Sequence, residues 1–205
     1  MISDVCKIEN GTRDLGAILK ESKKVAIYND LTDKQTMQLR LICEELDGML
    51  PNIVDNFNGD FWIEFEDGVC KVNVSLCFEE FTADKKHGLV GISKNKKNAA
   101  TVGIVGKIRS ALENVFLDQD SFGSNEMMVE SRYFSMDYYN TMDHYSGMDY
   151  AGFWSLEQYR NTVKKEEKKE AWDELEKSVL ASVADDVIVG VKGKRADIVI
   201  VKKFA

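Results

Sequence analysis

Residues 60–79 constrain the fold more than any other stretch of this chain. In DFWIEFEDG, Phe61, Ile63 and Phe65 alternate with Trp62, Glu64 and Glu66. In VCKVNVSLCFE, Cys70, Val72, Val74, Leu76 and Phe78 alternate with Lys71, Asn73, Ser75 and Cys77. Successive side chains of a strand point to opposite faces, so each run has one apolar face and one more polar face. Asp67-Gly68 between them suits the tight turn of a hairpin. Such an apolar face has to be covered by another layer.

The residues before the hairpin supply a cover. Residues 12–31 read as a helix carrying Leu15, Ile18, Leu19, Val25 and Ile27. A second helix starts near Thr32, a good N-cap residue with Gln35 three positions later. Its apolar positions Leu39, Ile42, Cys43, Leu46, Leu50 and Ile53 step by 3, 1, 3, 4 and 3 residues, which is one stripe of a helix. Gly48 and Pro51 weaken its last turns, because proline removes a backbone donor and crowds the preceding turn. We expect Leu39, Ile42, Cys43 and Leu46 to share a core with Phe61, Ile63, Phe65, Val72, Val74 and Leu76.

Residues 82–116 are helix-like around the basic loop SKNKKN, and residues 99–116 form a helix with small residues at Gly103 and Gly106. Residues 117–163 change character: they are rich in Met, Tyr, Asp, Ser and Gly and read as an insertion without which the domain folds. Residues 164–187 read as one helix burying Trp172, Leu175, Val179 and Val183. Two strands close the chain, the first with Val187, Val189 and Val191, the second with Ile198 and Ile200 after a turn at KGKR. The expectation is one α+β domain over residues 1–205, a two-layer sandwich with helices on one face of a mostly antiparallel, mixed sheet.

Composition narrows the function classes. With 44% apolar residues among 205, the chain can bury a sizeable core. A net charge of −8 repels phosphate backbones, so nucleic acid is not an expected partner. No apolar run approaches the roughly 20 residues that span a bilayer, and the N-terminus lacks the basic start and apolar stretch of a signal peptide. Cys6, Cys43, Cys70 and Cys77 sit in apolar patterns without a CxxC, as reduced core residues do. These features together suggest a cytoplasmic protein with no membrane partner.

Two stretches carry a resemblance. LICEELDGML (41–50) stands where a helix bearing E-x-x-x-N would precede a hairpin, and LEKSVLASVADDVIVGVKGKRADIVIVKKF (175–204) follows a helix-strand-strand pattern. With that order of elements the chain resembles the GHKL (histidine-kinase-like) ATPase fold, and within it the small bacterial anti-sigma-factor serine kinases. The likeness covers residues 12–116 and 164–204. It implies that Glu45 occupies the place of the glutamate that positions the attacking group, and Met49 that of the magnesium-binding asparagine. A thioether is a soft ligand, whereas magnesium demands hard oxygens. LCFEEF (76–81) stands in the place of D-x-G-x-G-F. There Leu76 replaces the adenine-reading aspartate, Phe78 and Glu80 replace the glycines, and Phe81 alone matches. Bulk and negative charge then fill the space that glycines leave for a nucleotide.

Several residues remain as traces of such a site. Asn52 lies on the same helical flank as Glu45 and Met49, either reaching toward the missing asparagine's place or closing the helix near Pro51. KNKKNAATVGIVGKIRS, with Lys97, Gly103, Gly106 and Lys107, invites a phosphate-cradle reading. It fails the P-loop pattern twice, with Thr101 at the first glycine and Ile108 at the Ser/Thr position. Close helix packing is the competing role for its glycines. His87 and His144 lack partners at metal-ligand spacing, so no metal site is expected.

The segment FSMDYYNTMDHYSGMDYAGFW (134–154) repeats Met-Asp every six residues, at Met136, Met142 and Met148, each followed within three residues by Tyr138, Tyr145 or Tyr150. Adaptable Met beside Tyr and Trp154 is what partner surfaces favour; the same aromatics could instead fold back onto the domain. Three functional readings result. The first is a regulatory protein-binding module on a degenerate GHKL scaffold, without ATPase or kinase activity and without a cofactor. The resemblance implies for it a sigma factor or an anti-anti-sigma-like regulator as partner. The second is an ATP- and magnesium-dependent serine/threonine protein kinase with an altered site and Glu45 as its base. The third is a self-assembling module, a homodimer in its simplest form, joined through the Met-Tyr segment.

Overall fold

The computed structural model describes residues 1–9, 14–54, 56–77, 104, 106–108, 152–165, 178–192 and 194–204. In chain order these form β1 (Cys6–Glu9), α1 (Leu15–Tyr28), α2 (Asp33–Ile53), β2 (Asn58–Glu66), β3 (Val69–Cys77), β4 (Gly152–Ser155), α3 (Leu156–Lys165), α4 (Val179–Val183), β5 (Asp186–Lys192) and β6 (Arg195–Lys203). Residues 104 and 106–108 are helical as well. The fold is α+β. Its six strands make one open sheet in the order β1-β2-β3-β6-β5-β4. Every pairing among the described strands is antiparallel, so the parallel component expected of a mixed sheet is not found among them.

The alternation in the hairpin sets the layers. Phe61 pairs with Val74, Ile63 with Val72 and Phe65 with Cys70. Extended across the sheet, Cys6, Phe61, Val74, Ile198, Val189 and Trp154 form one row through all six strands. These side chains join Leu39, Ile42, Cys43, Leu46, Leu50 and Ile53 of α2 and Ile18 and Val25 of α1 in a single core. The expected sharing of one core by the α2 stripe and the hairpin face is therefore present, with Phe65 partly buried at its margin. At the turn, Asp67 (φ 49°) and Gly68 (φ 77°) both adopt left-handed backbone, as a two-residue hairpin turn requires.

Local signals place α2. The Thr32 side chain accepts from the Gln35 N–H at 3.4 Å, and the Gln35 side chain accepts from the Thr32 N–H at 2.9 Å, completing a capping box. The helix runs through Pro51 to Ile53. Packing of Met49, Leu50 and Ile53 into the core outweighs the donor that Pro51 lacks.

Three features go beyond or against expectation. First, the N-terminus, to which the sequence reading assigns no element, is part of the sheet. Besides β1, Ile2 bridges Glu64, and the Ser3 N–H donates to the Ile63 carbonyl at 2.8 Å. From Ile2 to Cys6 the chain takes four steps (6 − 2) while its partner takes three (64 − 61), so one extra residue bulges from this edge strand. Second, the end of the 117–163 stretch is not an excursion from the fold. Gly152–Ser155 is an edge strand, and Trp154, Leu156 and Val163 lie in the core. Third, residues 164–187 are not one helix. Ser178 is extended and caps α4 by accepting from the Ala181 N–H at 3.2 Å, and Asp186 already opens β5. Val179, expected inside, is exposed, while Leu180 and Ala181 are buried in its stead. Residues 166–177, with Trp172 and Leu175, lie outside the described residues.

Candidate functional site

The α2 flank that would face a nucleotide is divided by packing. Glu45 is half-buried. Met49, one turn on, is only 5% exposed and belongs to the core. Asn52 is exposed and donates its side-chain amide to the Gly48 carbonyl at 3.3 Å, one turn back in its own helix. Such a bond to the i−4 carbonyl is a local side-chain-to-backbone contact open to any asparagine on a helix. Glu45 and Asn52 thus bracket a thioether that points inward, and no oxygen donor stands at the position the resemblance assigns to magnesium. Leu76, in the place of the adenine-reading aspartate, is fully buried. Phe78, Glu80 and Phe81 lie outside the described residues.

Lys97, Gly103 and most of the phosphate-cradle segment also lie outside the described residues. Gly106 is buried, as are Ile104 and Ile108 on the same helical stretch. The Lys107 ammonium sits 5.4 Å from the centre of the Tyr159 ring, and Tyr159 in turn packs its ring 6.2 Å from that of Trp154. A cation held over an aromatic face is partly satisfied there. Lys107 therefore links the helical residues 106–108 to α3.

The repeat residues Met136, Tyr138, Met142, Tyr145, Met148 and Tyr150 lie outside the described residues, as do His87 and His144. Trp154, grouped with them as a partner-facing aromatic, is 7% exposed and takes its place in the core row described above. Among the described residues, no three His, Cys, Asp or Glu side chains converge in a way that could hold a metal ion. The Cys43 and Cys70 thiols are fully buried; burial pushes both pKa values up, Cys70 to about 12, so neither is a ready nucleophile.

The structure assembles one polar cluster that the sequence reading does not single out. Ser155, at the end of β4, is 1% exposed, and its hydroxyl lies 3.1 and 3.2 Å from the two carboxylate oxygens of Asp186. The same carboxylate accepts from the Glu157 N–H at 3.0 Å and the Val187 N–H at 2.8 Å. Ser155 also accepts from the Gln158 N–H at 3.4 Å, so two side chains together cap the first turn of α3. One turn later, the Arg160 guanidinium donates to the carbonyls of Ala181, Ala184 and Asp185, binding α3 to the end of α4 and the entry to β5. Desolvation raises the Asp186 pKa above the ordinary aspartate value, outweighing the three donors that favour its charged form.

The bonds of this cluster cap α3 and tie it to the start of β5. A nucleophilic serine needs a general base and room for a substrate. Ser155, 1% exposed, has no such room. The signal was readable: Ser155 followed three residues later by Gln158 is the capping-box pattern.

Large apolar side chains do stand in solvent elsewhere. Ile2 and Val5 are exposed on the edge segment, Ile27 and Tyr28 at the end of α1, and Met37 on α2. No helix among the described residues is long and apolar enough to cross a membrane. Comparison of the chain with protein-family models, with curated proteins and with solved structures gives no match.

Proposed function

We propose that this chain is a regulatory protein-binding module on a degenerate GHKL-like scaffold, a two-layer sandwich that neither hydrolyses ATP nor phosphorylates a partner. One observation carries the reading: Met49, at the position that the resemblance assigns to the metal ligand, is packed into the core. A side chain that is both soft and turned inward gives magnesium nothing to bind. The exposed Ile2, Val5, Ile27, Tyr28 and Met37 supply apolar contact surface of the kind a protein partner uses. By the same resemblance, the partner is a sigma factor or an anti-anti-sigma-like regulator. Calorimetric titration with Mg-ATP tests the enzymatic alternative. The expected result is no binding tighter than about 1 mM, roughly −4 kcal/mol. Micromolar, magnesium-dependent binding would replace this reading with the serine/threonine kinase.

A further inference from the structure

We draw no further inference here: the strongest candidate, the exposed apolar patch of Ile2 and Val5 along the bulged edge segment of the sheet, is an unpartnered surface, and nothing in the structure shows what covers it.

Discussion

Single residues set the chemistry at position 49 and in the Ser155–Asp186 cluster. Met49 shows how one side chain closes a potential site: its thioether completes the core between Leu46 and Ile53. Replacing it by the asparagine that the resemblance would place there buries an amide among apolar groups. Met49→Asn should therefore cost about 1–3 kcal/mol of stability in urea titration. A cost below about 0.5 kcal/mol would mean that position 49 is wet and open to a ligand, removing the main support for the binding-module reading. Asp186 makes a prediction of the opposite kind. Its native pKa is raised, so its contribution to stability is fully present below the ordinary aspartate value and is lost as pH rises through the native one. Thermal midpoints of wild type and Asp186→Asn, compared from neutral to acidic pH, isolate this group from the other carboxylates. The wild type should gain on the variant as pH falls. If the gap between them widens the other way, the hydrogen bonds from Ser155, Glu157 and Val187 outweigh desolvation. Lys24 carries the opposite balance: the hydrogen bonds its ammonium donates, first to Glu21 and then to Asp4, hold its charged form and pin the edge segment to α1.

Among the elements, α2 and the β2–β3 hairpin contribute the largest apolar stripes to the shared core. The stripe from Leu39 to Ile53 shares that core with Phe61, Ile63, Val72 and Val74, all buried. Leu46, 1% exposed, sits in the middle of that stripe. Leu46→Ala should cost about 2–5 kcal/mol, the transfer and cavity terms combined, read as a fall in the denaturant midpoint with an unchanged slope. A loss under about 1 kcal/mol would show that the helix can be lifted from the sheet with little consequence. The close approach of β2 to β3 has its own requirement: a Cβ on Gly59 would stand 2.3 Å from the Ser75 carbonyl oxygen, so this strand start admits no side chain. At the edge, the one-residue bulge between Ile2 and Cys6 and the Asp4–Lys24–Glu21 cluster put charge and irregularity where strands of another chain would otherwise add.

For the molecule as a whole, the decisive fact is that the sheet is closed by segments far apart in sequence. β6, near the C-terminus, lies between β3 and β5, and β4 forms the edge opposite β1. Replacing residues 120–160 by a short Gly/Ser linker removes β4, the core residues Trp154 and Leu156, and Ser155, which caps α3. The cooperative thermal transition of the intact chain should be lost or shifted far down. A sharp transition near the wild-type midpoint would mean that β4 and the first turn of α3 are dispensable.

What the sequence determined by itself was whatever depends on near neighbours. The hairpin register follows from strict alternation around Asp67-Gly68, the start of α2 from Thr32 and Gln35, and the shared core of α2 and the hairpin from two matching apolar stripes. The closing strands β5 and β6 were equally legible, because Val187, Val189, Val191, Ile198 and Ile200 alternate without interruption. Tertiary structure decided the rest. Cys6–Glu9 and Gly152–Ser155 are too short to show a period; they become strands because β2 and β5 offer edges to pair with. Met49 stands outside the apolar stripe read from the sequence, and only packing in the core shows which side it faces. Ser155 and Asp186 lie 31 residues apart, and only the pairing of β4 with β5 brings a buried carboxylate to the start of a helix whose N–H groups need an acceptor.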